Sequence, residues 1–389
     1  MVVRRFAPKG GAEKFSMALA KHLRDQGHYV RVLAIHAQPL NGVTLVPVSA
    51  PRPRIRASWD WVTAHALAGA LKHERADITW GEQKTWGAMM LRPGGGVERE
   101  YWNARAGFRR PGVHAPAAWR KFGIKRFFDL RAEQNGYRHP ALRRVIVNSS
   151  MVKQHCLLHF PELAGRIEVV HNGGDPPRPG PGYDATFRES LLCGVGLQTR
   201  HTTALFLGHD YARKGLPEAI RGLAAALRSA PDLPLQLLVA GRGQARPYQQ
   251  LAAGLGVASR VGFAGTHYPS EDLLHASDLL VLPTFFDAFA NVTVEALSAG
   301  RPVLTSTANG AHEILTHGKD SWLIPDPRDT HRIADHLLEL RTPGVLAARQ
   351  REALRTAGRY RLNRQLSQIE QHMLDVAERT HRWHAGAPC

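Results

Sequence analysis

A chain of 389 residues, 43% hydrophobic and 22% charged, has length for roughly two to three domains with large cores, and its composition excludes an intrinsically disordered chain. No apolar run reaches roughly eighteen residues, and MVVRRFAPKGG lacks the apolar core and cleavage site of a signal peptide, so the expected location is the cytoplasm. The net charge of +18 implies an anionic partner, whether nucleic acid, anionic lipid or a phosphorylated substrate, unless it reflects a genome-wide preference for arginine; Cys156, Cys193 and Cys389 are too few and scattered for a disulfide framework.

The chain opens with the short apolar and basic run VVRRF, the turn Lys9-Gly10-Gly11, an amphipathic helix and the strand YVRVLAI, which together make a βαβ unit. The first strand is clipped, as if Met1 were an internal methionine. TLVPVSA, the helix WDWVTAHALAGALKHE and ADITWGEQKTWGAMMLRPGGG follow, the last read as one short strand running into a glycine-rich loop. From Glu98 to Arg144 the pattern changes. Arginine, lysine and aromatics alternate there, and one or two basic amphipathic helices separated by Pro111 to Pro116 are expected. VIVNSS then restores a buried strand, followed by the helix MVKQHCLLHF and the strand RIEVVHNGGD.

After Gly173-Gly174-Asp175 the Pro/Gly-rich stretch PPRPGPGYD has the composition of a domain linker. The second half starts afresh with the strand ALFLGHD, the turn YARKG and the helix LPEAIRGLAAALRSA. LQLLVAGRG, RVGFAG and DLLVLPT are further short strands, each followed by loop and helix. Two βα-alternating halves imply an α/β protein of two Rossmann-like domains facing across a cleft. The expected boundaries are 1–174, carrying the basic-aromatic insert 98–144; 175–360; and a helical tail, 361–389, packing back on the first domain.

The stretch Phe285 to Leu304 organises the second half as strand, loop, helix, strand. Asp287 falls on the loop, and Asn291 starts a helix whose body carries Glu295 and whose end is set by Gly300 and Pro302. Two acids lie near a helix N-terminus, where unpaired N–H groups favour a phosphate. Their spacing suits an acid pair, metal ligands or binders of sugar hydroxyls. No histidine or third carboxylate stands at metal spacing, so hydroxyl binding is the better reading, against a capping role for Asp287 and a surface role for Glu295. Arg213-Lys214-Gly215, after the first strand of this half, offers two cations at the edge where α/β proteins bind ligands; a solvated basic turn is the plain alternative. Gly10-Gly11 lets backbone approach a ligand, yet it is not the three-glycine dinucleotide fingerprint. His155 and His159 share a helical face without the acid of a zinc-protease motif. Tyr101, Trp102, Phe108, Trp119, Phe122, Phe127 and Phe128 give the insert the character of an interface rather than of a solvated surface.

Taken together, the Gly10-Gly11 turn, GHDYARKG, the Asn172-Gly173-Gly174-Asp175 linker start and the Asp-x7-Glu unit resemble a retaining family-4 glycosyltransferase of the GT-B fold over essentially the whole chain. Within that family GHYVRVLAI, WGEQKTWGAMMLRPGGGV and the insert are similar to segments of the lipopolysaccharide core glucosyltransferase I group. The resemblance implies transfer of a hexose, glucose first, from a UDP-sugar with retained configuration, no required cofactor and no essential metal. The second domain would hold the nucleotide and the first the acceptor. By resemblance, Glu295 takes the ribose hydroxyls, Arg213 and Lys214 the diphosphate beside Gly208, and Asp287 hydroxyls of the donor sugar. The N–H groups of Asn291 and Val292, assisted by Gly10 and Gly11, would meet phosphate, and Glu98 is a candidate acceptor-side acid or base. The implied acceptor is the lipopolysaccharide inner core or a similar membrane-anchored glycan, with the insert on an anionic inner membrane surface and no nucleic acid bound. The chain departs from the family pattern twice. Asp287 replaces the usual glutamate, and Ala290 replaces the glycine common three residues later. Other donors or acceptors, or a non-catalytic glycan- or nucleotide-binding relative, are the alternative readings.

Overall fold

The computed structural model describes residues 1–8, 10–107, 115–178, 180, 184 and 186–385. Lys9, Phe108, Pro111 and most of the residues 179–185 lie outside that set, as do the side chains of Pro116, Trp119 and Phe122. The strands are β1 (Val2–Phe6), β2 (Arg31–Ala37), β3 (Thr44–Pro47), β4 (Trp80–Glu82), β5 (Met90–Arg92), β6 (Arg144–Val147), β7 (Ile167–Val169), β8 (Thr202–Leu207), β9 (Leu235–Ala240), β10 (Val261–Gly265), β11 (Leu279–Leu282), β12 (Val303–Ser306) and β13 (Ser321–Ile324). The helices are α1 (Gly11–Asp25), α2 (Trp59–Leu71), α3 (Glu98–Gly107), α4 (Ala115–Tyr137), α5 (Ser150–His159), α6 (Phe187–Gly194), α7 (Leu216–Ser229), α8 (Arg246–Gly254), α9 (Ser270–His275), α10 (Asn291–Ser298), α11 (Thr330–Leu338), α12 (Val345–Arg359) and α13 (Leu362–Ala385).

The chain divides into two compact units: residues 1–102, 114–171 and 362–389 form one, and residues 103–113 and 172–361 the other. In the first, seven parallel strands run in the order β3-β2-β1-β4-β5-β6-β7. In the second, six run β10-β9-β8-β11-β12-β13. Both orders reverse direction once, between β1 and β4 and between β8 and β11, which is the doubly wound topology whose reversal point opens a crevice at the carboxyl ends of the strands.

Sequence explains this layering. β6, β9, β11 and β12 are buried along their whole length, as strands covered by helices on both faces require. α7 instead buries Leu216, Ala219, Ile220 and Leu223, the three- and four-residue spacing of one helix face. The second core gathers Phe206, Leu238, Leu280, Leu297, Leu304 and Trp322. The first gathers Phe6, Leu19, Val32, Trp80, Met90 and Ile146 together with Leu366, Ile369, Met373 and Val376 of α13.

Two local expectations change. The stretch from Ala76 to Gly96 holds two strands, β4 and β5, rather than one. Each is three residues long and wholly buried, too short for any periodicity to register. The helix WDWVTAHALAGALKHE stops at Leu71, before its last three residues. In the insert α3 and α4 are helical, with Trp102 buried and Phe127 exposed. Among the described residues no helix is long and apolar enough to cross a membrane.

Candidate active site

The reversal point of the second sheet collects most of the expected residues. Arg213 and Lys214 lie on the β8–α7 loop, and Asp287 on the β11–α10 loop next to it. Gly215 ends the first loop at φ 82°, and a Cβ there would meet the Pro283 carbonyl oxygen at 2.0 Å, so the two loops pass each other at a distance only glycine allows. Backbone ties the loops together: Phe285 N–H donates to the Arg213 carbonyl at 2.9 Å, as does the Thr284 hydroxyl at 3.1 Å.

The Asp287 carboxylate accepts from both cations through Oδ2, from Lys214 Nζ and, at 3.0 Å, from Arg213. Arg213 also donates to the Phe286 carbonyl at 2.6 Å. Burial would raise the Asp287 pKa, but Lys214 and Arg213 outweigh it and hold the carboxyl at about 2. Burial, with Arg213 adjacent, lowers the Lys214 pKa against the pull of Asp287. Gly208 follows β8 directly, beside the Lys214 stem, whose nearest carbons would lie 3.4 Å from a Cβ at that position. The imidazole of His209 is held low by burial and then by Arg242, Lys214 and Arg213, which marks this edge as electropositive. Arg242 was no sequence candidate, although its place directly after β9 and Gly241 is a usable signal.

α10 begins beside this pair. Its N-cap, Ala290, has φ −69° and ψ 104° and no side-chain cap, so the first N–H groups, those of Asn291 and Val292, point out of the helix start. The negative φ explains why alanine is tolerated where glycine is common: no left-handed backbone is needed. Asn309, fully buried, fixes the start of the helix. Its Oδ1 accepts from Ala290 N–H at 3.0 Å and from Ala311 N–H at 3.1 Å. Its Nδ2 donates to Thr293 and Thr305 hydroxyls at 3.1 and 3.2 Å. Asn172 reaches Asn291 Oδ1 at 2.7 Å. Glu295 is half-buried one turn further along. Asn309 was not legible in sequence, because nothing around it repeats or alternates.

Gly10, Gly11 and Glu98 belong to the first unit. Gly10 caps α1 at φ 94° and is exposed, as is Gly11. The reversal point between β1 and β4 opens a pocket of about 240 Å3 lined by Arg4, Arg5, Glu13, Gln83 and Lys84 among others. Beside it, buried Glu98 accepts from Gln83 at 3.0 Å and pairs with Lys84 at 3.1 Å. Lys84 also meets Asp129 at 3.0 Å and has a φ of 63°, rare for a side-chain-bearing residue. Burial raises the Glu98 pKa against Lys84, leaving a carboxyl suited to exchanging a proton. Glu98 N–H in turn donates to buried Glu133, whose carboxyl burial pushes up to about 8. His159 pairs with Glu100 at 2.6 Å. Among the described residues no group of three or more His, Cys, Asp or Glu is arranged to hold a metal ion.

Comparison with known proteins follows the same division. Residues 9–178 match the family model described as Glycosyltransferase Family 4, and residues 201–342 the model described as Glycosyl transferases group 1. A D-inositol 3-phosphate glycosyltransferase of Rhodococcus jostii is 32% identical over 226 residues, 55% of this chain and 48% of the relative. The lipopolysaccharide glucosyltransferase WaaG of Escherichia coli is 28% identical over 188 residues, 48% of this chain and 50% of WaaG. The chain thus spans about half the length of the curated relatives it matches. A crystal structure of WaaG superposes with a TM-score of 0.77 at 21% identity, covering 96% of this chain and 98% of that one. Anabaena HepE, in complex with UDP and glucose, gives 0.68 at 17% identity over 96% and 98%. With both halves matched in order and the two doubly wound sheets in place, the chain belongs to the family-4 glycosyltransferases of the GT-B fold.

Proposed function

We propose that this chain is a retaining glycosyltransferase that moves a hexose, glucose first, from a UDP-sugar to a membrane-anchored glycan such as the lipopolysaccharide inner core. The observation that carries the reading is the Arg213–Lys214–Asp287 clamp beside the uncapped start of α10 at the sheet reversal point. Departure of a nucleoside diphosphate develops negative charge, and fixed cations with a helix N-terminus stabilise it without reorganising. In this reading Arg213, Lys214 and the N–H groups of Asn291 and Val292 receive the diphosphate beside Gly208. Glu295 accepts from the ribose hydroxyls. Since Asp287 carries both cations on Oδ2, a donor-sugar hydroxyl is taken by Oδ1. Glu98 serves the acceptor side as acid or base.

The names of the relatives support the substrate class: WaaG is a lipopolysaccharide glucosyltransferase, and HepE was crystallised with UDP and glucose. The acceptor lies in a membrane leaflet, with the basic insert on its anionic inner face and the protein on the cytoplasmic side. No cofactor, metal or nucleic acid takes part.

Titration calorimetry with UDP in the presence of chelator tests the donor half. UDP is expected to bind, and Glu295→Ala to weaken it about tenfold or more, as for a lost charge-assisted contact. Binding that needs a divalent cation, or that survives Glu295→Ala unchanged, sinks the assignment. Turnover of UDP-glucose with a heptose-containing acceptor, run beside D-inositol 3-phosphate, tests the acceptor. Binding without product on any acceptor points instead to a non-catalytic relative.

A further inference from the structure

The first unit contains a second cavity, built in part from the basic insert, that holds none of the residues assigned above to the donor, the acceptor or the reaction. It has a volume of about 500 Å3 and shares no lining residue with the pocket at the β1–β4 reversal point. Leu71 at the end of α2, Lys72 just after it, Trp86 of the β4–β5 connection, Arg131 of α4 and His139 just beyond α4 are among the residues that line it. α2 leads into β4 and α4 into β6, so the C-terminal ends of both helices lie at the amino edge of the parallel sheet. Glu98, Gln83 and Lys84 lie at its carboxyl edge. The cavity is therefore remote from the acceptor side.

Its chemistry is one-sided. Lys72, Arg131 and Arg138 bring full positive charges, and the imidazoles of His65 and His139 stand beside them. Among the described residues no Asp or Glu lines the cavity. Arg138 is partly neutralised, its Nε pairing with Glu162 at 2.8 Å. Gln134 and Asn135 add amide donors. The floor is apolar, with buried Trp86 and Leu71, and Trp86 is braced by Trp61 at 5.1 Å between ring centroids. His139 Nδ1 accepts from Ala141 N–H at 3.1 Å, so the neutral ring carries its hydrogen on Nε2 and can donate it. Burial and then Lys72 hold the imidazole below its ordinary pKa, a repulsion that a bound anion would relieve. Charges of one sign around a concave apolar floor match a compact anion attached to a small organic body, and the volume lies within the range of ligand pockets.

We propose that this cavity is a phosphate-binding site, with Lys72, Arg131 and His139 as ligands of the phosphoryl oxygens and Trp86 beneath the organic part. The group arrives either on a lipid headgroup or on a soluble phosphorylated sugar or glycerol. The site is independent of the donor reading, because none of its residues belongs to the second unit.

Two arms distinguish the sources. In the first, glycerol 3-phosphate and inorganic phosphate are titrated into the full chain and into Lys72→Ala/Arg131→Ala, whose substituted residues are exposed; circular dichroism checks that the variant is folded. The His139 Hε1 resonance, assigned with His139→Gln, reports the site directly, so anions bound elsewhere do not register. In the second arm the same proteins are sedimented with vesicles of phosphatidylglycerol and of phosphatidylcholine. A saturable shift of the His139 resonance, with binding weakened about tenfold in the double variant, establishes a soluble phosphate ligand. Retention only on phosphatidylglycerol vesicles, reduced to the same extent by the variant and accompanied by the His139 shift, establishes the headgroup. No His139 shift with either probe, or binding equal in variant and wild type, overturns the proposal.

Discussion

Asp287 answers to two opposed effects, burial and the paired charges of Lys214 and Arg213, and the charges prevail. With its pKa moved from an ordinary 3.8 to about 2, the carboxyl contributes stability that is present above pH 3.8 and is lost as pH falls through about 2. At pH 7, Asp287→Asn keeps the shape but strands a buried lysine, and is expected to lower stability by about 3 kcal/mol in urea unfolding. Adding Lys214→Met should recover much of that loss. A single variant as stable as wild type contradicts the account. Glu133 has the opposite sign. Burial raises its carboxyl from 4.5 to about 8 despite the Glu98 N–H, so its stabilising protonated form is complete below pH 4.5 and lost as pH rises through 8. Glu133→Gln keeps an acceptor for Glu98 N–H and removes the titration. Its melting temperature at pH 8.5 is expected to exceed that of wild type by about 3 °C, with no gain at pH 4; a gain independent of pH disproves the titration.

At the scale of elements, α10 is placed by a residue outside it. Asp287 N–H donates to the Ala308 carbonyl at 3.0 Å and Gly310 N–H to the Asp287 carbonyl at 2.8 Å, which pins the loop that carries the acid to the loop that carries Asn309. Asn309→Ala would leave the buried Ala290 and Ala311 N–H groups without their acceptor. A loss of about 3 kcal/mol in stability is expected, with weaker UDP binding in calorimetry because the helix start loses its aim. Asn309→Asp, which keeps the acceptor, should restore most of both; equal damage by the two variants excludes the hydrogen-bond explanation. What could be read in advance follows the same physics. LLVLPT, the Asn291 helix start and the Gly300 stop were legible because burial on both faces and helix punctuation leave local signatures. β4 and β5 read as one strand in the sequence because three residues carry no period. The grip of Lys214 and Arg213 on Asp287 joins positions more than seventy residues apart, and local spacing cannot encode it. The same holds for Lys84, whose partners Asp60, Glu98 and Asp129 come from three separate segments.

At the scale of the molecule, the first unit is finished by the last helix of the chain. α13 sets Leu366, Ile369, Met373 and Val376 into the core that α1 and β1 begin, and Glu370 accepts from His22 and His28 at 2.9 Å each. α12, immediately before it, contributes Ala353 and Ala357 to the other core. Four buried apolar side chains, at roughly 1.5–3 kcal/mol each, amount to about 8 kcal/mol, comparable with the whole stability of a domain. A chain ending at Arg361 is therefore expected to lose the fold of its first unit while the second, which needs nothing beyond that residue for its core, keeps its own. Hydrogen exchange read by mass spectrometry separates the outcomes. Peptides from β1, β2 and β4 to β7 should exchange at the rate of unfolded chain, and those from β8, β9, β11 and β12 should stay protected. UDP binding should survive as well, because Arg213, Lys214, Asn291, Val292 and Glu295 all belong to the second unit. Protection retained in β1 and β2 would mean that α13 only covers a core already complete, and Ile369→Ala with Met373→Ala in the full-length chain would then cost far less than the roughly 5 kcal/mol that two core truncations carry.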